Sequence, residues 1–222
     1  MSSVKLSVVI PTLNRKDLLQ QALPNLLKQR DHFELLHIID NGQQGIDVPD
    51  DPKILLQVPG RNLGVAASWN LGISVGFKLP QVTHILAIND DIELGENQLL
   101  VIRQFIEDTP DYWFYVGQYY WSVWVISRNG AKTMEYRPAE FFDSRFYPAY
   151  TEDNDFHHRL NLINASKYLG NIQELLPKIM RNSMTAQKMP YINHERSERF
   201  YCRKWGGKPG KEQFAIPFDG KL

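Results

Sequence analysis

Cysteine is almost missing from these 222 residues: Cys202 stands alone, so the chain can form neither an intramolecular disulfide nor a thiolate metal cluster. An excess of charge of either sign is missing too. Lys plus Arg and Asp plus Glu number 25 each, a formal net charge of zero, which gives no general attraction to nucleic acid or to an anionic membrane. Long apolar runs are lacking. No stretch approaches the roughly 20 apolar residues needed to cross a bilayer, and the short run in MSSVKLSVVIPTLNR meets Pro11, unlike a secretory leader. The expectation is a soluble, cytoplasmic protein, at most peripheral at a membrane surface, with no transmembrane segment and no nucleic-acid partner. The glycine fingerprint of dinucleotide binding and the lysine-ended phosphate loop are absent as well, which removes the dehydrogenase and nucleoside-triphosphatase readings.

What is present is a globular composition, 43% apolar and 23% charged, long enough for one sizeable core. Short β-branched runs at 6–10, 35–39, 54–57 and 84–88 read as strands. Patterns opening over 14–16 and running to 27, and at 65–77 and 96–107, read as helices, the first carrying Pro24 and a kink or irregular turn. This alternation predicts an α/β fold with a mostly parallel central sheet flanked by helices. The second half adds a small antiparallel element: two strands within 112–126 joined near Gln118, then a helix over 129–134 capped by Ser127. A further helix is expected over 151–162. The tail from Ser183 shows scattered aromatics and little periodicity, so no second domain is expected.

Polar clusters fall at strand ends, where open α/β sheets gather ligand groups. Asn89-Asp90-Asp91 is the sharpest. Two adjacent carboxylates call for a cation that bridges phosphate oxygens, or they form an ordinary turn and helix cap. Asp40-Asn41-Gly42 is either a turn or a carboxylate placed for a nucleobase N–H. Asn14 and Arg15 could orient a base or a phosphate. Glu152, Asp153 and Asp155 open a helix, where the dipole alone would favour them; after the aromatic stretch 141–150 they also suit a general base beside a sugar acceptor. Arg159 could simply pair with Asp155, four residues earlier. His157 and His158 lack ligand spacing. His194, in a polar stretch, could fold back on a metal or a diphosphate. Lys204-Trp205-Gly206-Gly207 could clamp phosphate or merely dock the tail. Trp121 and Trp124, three apart on a strand, should face opposite sides, one in the core and one toward the acceptor.

These pieces, VVIPTLNR at 8–15, IIDNG at 38–42, NLGVAASWNLGI at 62–73, ILAINDDIEL at 85–94, FFDSRFYPAYTEDNDFHHRL at 141–160, then His194 and KWGG at 204–207, run in order along most of the chain. Together they resemble the family 2 inverting nucleotide-sugar glycosyltransferases of the Rossmann-like type A fold, and within them the rhamnosyltransferase-like group. The resemblance implies one glycosyltransferase domain over 1–222. Residues 1–110 would form a nucleotide-sugar-binding half, 111–182 an acceptor-binding half, and 183–222 a tail closing the site. Pro11, Thr12, Asn14 and Asp40 would line the nucleoside pocket, with Asn62, Gly64 and Asn70 beside the nucleotide. Asn89 and Asp90 would belong to a DXD-type motif whose Asp91 holds Mn²⁺ or Mg²⁺, His194 adding a metal or phosphate contact. Asp153 would be the general base, with Glu152 and Asp155 holding the acceptor. Trp69 departs from the family, standing where many relatives have an arginine that contacts the nucleotide. The implied reaction moves a sugar from a nucleoside diphosphate (UDP preferred, dTDP or GDP possible) to a hydroxyl of a glycan or glycoconjugate. The rivals are a sugar-phosphate nucleotidyltransferase and a non-catalytic sugar- or nucleotide-binding domain. Oligomeric state does not follow from the sequence.

Overall fold

A computed structural model describes residues 4–117, 120–176 and 194–220. Its strands are β1 (Leu6–Thr12), β2 (Leu35–Asp40), β3 (Ile54–Gln57), β4 (His84–Ile88), β5 (Phe114–Gly117), β6 (Tyr120–Ser127) and β7 (Leu169–Asn171). Its helices are α1 (Lys16–Leu27), α2 (Val65–Phe77), α3 (Gln98–Asp108), α4 (Arg128–Met134), α5 (Glu152–Leu162) and α6 (His194–Trp205). The strands make one sheet in the order β3-β2-β1-β4-β6-β5-β7. The pairs β1–β2, β2–β3 and β1–β4 are parallel. The expected antiparallel element is β6, inserted against both β4 and β5, and β7 closes the edge parallel to β5.

Alternation along each strand splits the core in two. Leu6, Val8 and Ile10 of β1 face Leu19, Leu23 and Leu26 of α1 and Leu99, Ile102 and Ile106 of α3. Val9 faces the opposite layer, where α2, α4 and α5 bring Trp69, Ile73, Met134, Phe156 and Leu160. Helix α2 approaches β1 closely because position 72 has no side chain: a Cβ on Gly72 would stand 2.3 Å from Val9 Cγ1. Ser127 caps α4 as expected, its Oγ accepting from Gly130 N at 3.0 Å.

One element was not anticipated and one expectation needs correction. From His194 the tail forms α6, which buries Ser197, Tyr201, Lys204 and Trp205 and packs Tyr201 and Trp205 against Phe146. Half of that buried face is polar, so a count of apolar residues passes over it. Trp121 and Trp124 do not face opposite sides; both join the α2/α5 layer, with ring centroids 5.7 Å apart. The pairing of β5 with β6 slips between Val116 and Gly117, and a bulge of this kind breaks the period-two alternation that the expectation assumed. The expected connection at Gln118, and the part of the tail over 183–193, lie outside the described residues. Among the described residues no helix is long and apolar enough to cross a membrane.

Candidate active site

A cavity of about 360 Å³ opens at the carboxyl ends of β1, β2 and β4. There the sheet order reverses on either side of β1, the position at which open α/β sheets hold ligands. The end of β1 supplies Pro11 and Thr12, the turn after β4 supplies Asn89, Asp90 and Asp91, and the loop into α2 supplies Asn62 and Gly64. The far wall is the segment from Pro148 to Asp153, together with Trp121. Ten residues expected at a site from sequence thus converge, although Pro11 and Asp153 come from distant parts of the chain.

The loops are held by short-range chemistry. Asn62 Oδ1 accepts from Gly64 N at 2.8 Å, and Val65 N donates to Pro148 O at 2.9 Å. Gly64 has φ +80°, and a Cβ there would stand 2.8 Å from Pro148 O, so this position requires glycine. At the start of α5, Tyr150 and Thr151 both have positive φ, 79° and 64°. For a β-branched residue this is a strained conformation costing on the order of 1–3 kcal/mol. It turns the chain so that Tyr150, Glu152 and Asp153 all reach the cavity.

Four carboxylates line the cavity and, among the described residues, no lysine or arginine does. Asp90 is pushed up to about 7, first by burial and further by Asp91, against hydrogen bonds from Thr12 and Leu13 and the charge of Arg15. Glu152 is raised well above the ordinary carboxylate range by burial and then by Asp153 and Asp155. Asp153 is raised by burial, moderated by the Asn154 N–H, which reaches its Oδ1 at 2.8 Å, and by the charges of His194 and His157.

Several expected residues stand elsewhere. Asp40 is fully buried beneath the turn after β2, its carboxylate accepting from Gly42 N at 3.0 Å, Gln44 N at 2.7 Å and Gln44 Nε2 at 2.9 Å. Its neighbour Asn41 lines the cavity in its place. Asn14 is exposed and closes against Gly42, where an added Cβ would meet Asn14 Oδ1 at 2.6 Å. Arg15 is buried behind the cavity, its Nε 3.3 Å from Asp17 Oδ1 and its charge acting on Asp90. Asn70 serves the backbone, accepting from Phe141 N and Phe142 N at 3.0 and 2.8 Å and donating to Phe142 O at 2.7 Å.

Asp155 is fully buried: Arg159 Nε reaches its Oδ2 at 3.0 Å and Trp205 Nε1 its Oδ1 at 2.8 Å. The helical ion pair is therefore the correct account of Asp155 and Arg159. Trp124 is a core residue, 1% exposed. Lys204 is buried between Asp143 and Asp155 and does not line the cavity. His194 begins α6 with its ring 5.3 Å from that of Tyr150, close enough for its charge to act on Asp153.

Asn41, Ser122, Pro148 and Ala149 line the cavity without having been placed in it from sequence, and Trp69 and Tyr150, noted only as a departure from the family and as part of the aromatic stretch, line it too. Asn41 was findable: when a strand is buried on both faces, the residue just past its end is the first released toward a ligand. Asn41 Nδ2 donates to Ser68 Oγ at 2.9 Å, and its Oδ1 accepts from Leu63 N at 3.0 Å, tying β2 to the α2 loop. Nothing in the sequence marked Ser122 or Ala149.

The donor set suits a hard divalent cation. Asp90 and Asp91 are adjacent oxygen donors whose mutual repulsion a cation would relieve. Among the described residues no group of three or more His, Cys, Asp or Glu converges to cage an ion. Mg²⁺-type sites built from one or two carboxylates and substrate phosphates fit this arrangement; a closed structural site does not, and His194 does not join the two aspartates.

Comparison with known proteins follows the same line. The family model described as "Glycosyl transferase family 2" matches residues 7–170. No curated protein matches the chain. Among solved structures, the crystal structure of S. aureus TarS 1-349 superposes with a TM-score of 0.52 at 14% identity, covering 72% of this chain and 56% of that one. A crystal structure of S. aureus TarS 1-349 in complex with UDP-GlcNAc aligns over 51% of this chain and 34% of that one, at 18% identity and a TM-score of 0.39. The chain thus spans about half of the TarS chain, and at this identity the likeness is one of fold.

Proposed function

The chain belongs to glycosyl transferase family 2, and from that membership we propose that it transfers a sugar from a nucleoside-diphosphate donor to a hydroxyl group of a glycan or glycoconjugate, with inversion at the anomeric carbon. The observation that carries this reading is the meeting, in one cavity, of Asp90 and Asp91 with Glu152 and Asp153. One pair suits a cation and diphosphate; the other brings a candidate base to the same space.

In this mechanism Thr12, Asn41 and Asn62 border the nucleoside end, with Asn41 taking the place first given to Asp40. Asp91, with Asp90, would hold Mn²⁺ or Mg²⁺. When bound, that cation offsets negative charge on the donor diphosphate and on the leaving group. Asp153 removes the proton from the acceptor hydroxyl as its oxygen attacks the anomeric carbon from the face opposite the nucleotide, a contribution of about 10²–10⁴-fold. His194 and His157 favour the ionised, basic form of Asp153. Residues 4–110 then act mainly on the donor and 111–176 on the acceptor, with α6 backing α5. Grouping with the rhamnosyltransferase-like members rests on the ordered sequence motifs.

The test is calorimetric titration of the purified protein with UDP, dTDP, GDP and ADP, each with and without Mn²⁺. Binding of one diphosphate that requires the metal supports the reading and selects the donors to assay for transfer. Folded protein that binds none of the four defeats it.

A further inference from the structure

A second cavity, of about 520 Å³, shares no lining residue with the first. The two stand at opposite ends of α5. Glu152 and Asp153 at its start line the acidic cavity, whereas Arg159 and Leu162 near its end, with Ile163 just beyond, line this one. The volume falls within the roughly 300–1,000 Å³ of small-molecule sites. Met134 of α4 and Pro217 and Phe218 of the tail complete an apolar wall. Leu162 and Ile163 are left exposed on it, as is Ile216, which stands in the chain between two lining residues. One exposed apolar side chain needs no explanation; several around a cavity mark a binding surface.

The polar part of this lining is cationic. Arg137, Arg145, Arg159 and Lys204 share it with one carboxylate, Glu135, whose Oε1 already accepts from Ala139 N at 2.6 Å. Arg159 is committed to Asp155 and Lys204 to both Asp155 and Asp143. Those two aspartates are fully buried and do not line the cavity, so the pairs turn their positive ends toward it. Arg145 gives Nε and Nη2 to Asp143 at 2.8 Å each, and its Nη1 has no hydrogen-bond partner among the described residues; the side chain is 38% exposed. Arg137 is 56% exposed, and its sole carboxylate contact among the described residues is Glu140 Oε2 at 3.8 Å, beyond hydrogen-bond reach. Glu140 is itself engaged, its Oε1 accepting from Ser144 N and Oγ at 3.2 and 2.7 Å. Two guanidinium groups with donors to spare suit a carboxylate or a phosphate.

The helix fixes the orientation of an occupant. The last carbonyls of α5 carry the negative end of its dipole, which disfavours an anion beside Leu162 and Ile163, and those side chains offer only apolar contact. We infer that this cavity binds an amphiphilic anion, a carboxylate or phosphate monoester on an unbranched alkyl chain, with its head group on Arg137 and Arg145 and its chain over Leu162, Ile163 and Phe218. The inference goes beyond the proposed reaction and does not depend on it.

Octyl phosphate and octanoate, below their micelle-forming concentrations, are titrated calorimetrically into the protein beside octan-1-ol and inorganic phosphate, with circular dichroism confirming the fold. Both amphiphilic anions should bind. The alcohol and inorganic phosphate each lack half of the recognition and should bind at least about tenfold more weakly. Arg137→Gln removes a charge that makes no hydrogen bond in the fold; it should weaken octyl phosphate about tenfold or more and leave the urea midpoint unchanged. Ile163→Asp, at an exposed position, places a like charge along the alkyl chain and should abolish binding. In ¹³C-methyl spectra the Ile163 signal, identified by its loss in that variant, should shift with octyl phosphate. Equal affinity for octan-1-ol or for inorganic phosphate, or unchanged binding in either variant, overturns the inference. Association with phosphatidylglycerol vesicles without binding of the monomeric anions overturns it too, and assigns this face to a membrane surface instead.

Discussion

Lys204 Nζ lies 2.5 Å from Asp155 Oδ1, a buried ion pair between the last described helix and the helix that carries Asp153. The same ammonium group reaches Asp143 Oδ2 at 2.7 Å, so one cation gathers two carboxylates from separate segments. Trp205 Nε1 adds a hydrogen bond to Asp155 at 2.8 Å, and Ser197 Oγ donates to Ala149 O at 2.8 Å. Helix α6 therefore supports the cavity wall from behind. It gives the first turn of α5 a fixed position without contributing Lys204 to the cavity itself.

Removing that cation should be costly. Lys204→Met leaves the Asp143 and Asp155 carboxylates buried without it, a loss of about 3–5 kcal/mol when one partner of a buried pair is deleted, readable as a lower urea midpoint. Burial pushes Asp143 up, but the hydrogen bond from Arg145 and the charge of Lys204 outweigh it and hold the carboxyl well below the usual carboxylate range. A depressed folded-state value means stability that is present above the unfolded value near 4 and lost as pH falls below it. The wild type should therefore lose stability steeply below about pH 4, and Lys204→Met should flatten that dependence. An unchanged urea midpoint in the variant would remove the supporting role given to α6.

Asp153→Asn separates binding from chemistry. The amide keeps the size of the side chain and cannot take a proton, so kcat should fall by about 10²–10⁴-fold while the affinity for the nucleoside diphosphate is retained. Because burial raises Asp153, the acidic limb of the wild-type rate profile should lie above the ordinary aspartate value of about 3.9, with activity rising as the group ionises. Near-normal turnover in the variant would transfer the role of base to another group.

The frame was legible because β-branched runs ending in polar turns are a local signal. The strands at 54–57 and 84–88 and the helix at 65–77 appear at the expected residues, and the sheet order then brings their carboxyl ends together. What stayed hidden depends on tertiary partners. Asp40 and Asn41 are adjacent and similar, and only the turn around Gln44 decides which one faces inward. Lys204 reads as a phosphate clamp until Asp143, sixty-one residues away, is seen to hold it. The buried face of α6 is half polar for the same reason, and β7 is a three-residue strand whose existence depends on β5.

If the cavity takes a nucleoside diphosphate as proposed, its acidity predicts that binding requires a cation. With four carboxylates and no basic side chain among its described lining residues, a bare diphosphate would be repelled. Chelation by EDTA should abolish calorimetric binding of the nucleotide that the metal supports. Asp91→Asn should weaken metal-dependent binding at least about tenfold, or 1.4 kcal/mol. Full diphosphate affinity in EDTA would show that no cation is needed and would redirect attention to cationic groups outside the described residues.

Asn70 offers the complementary case, a residue expected at the nucleotide that the fold uses for its own backbone. Its side chain satisfies Phe141 N, Phe142 N and Phe142 O, all buried, and thereby fixes the segment leading to the Asp143 cluster and the cavity wall. Asn70→Ala strands those groups at about 1–3 kcal/mol each, with partial compensation by water expected to leave a net loss of about 2–4 kcal/mol in chemical denaturation. Below the unfolding transition, diphosphate affinity per folded molecule should remain within a factor of about three, since Asn70 does not line the cavity. A variant of normal stability that fails to bind nucleotide would reverse this assignment and return Asn70 to the donor site.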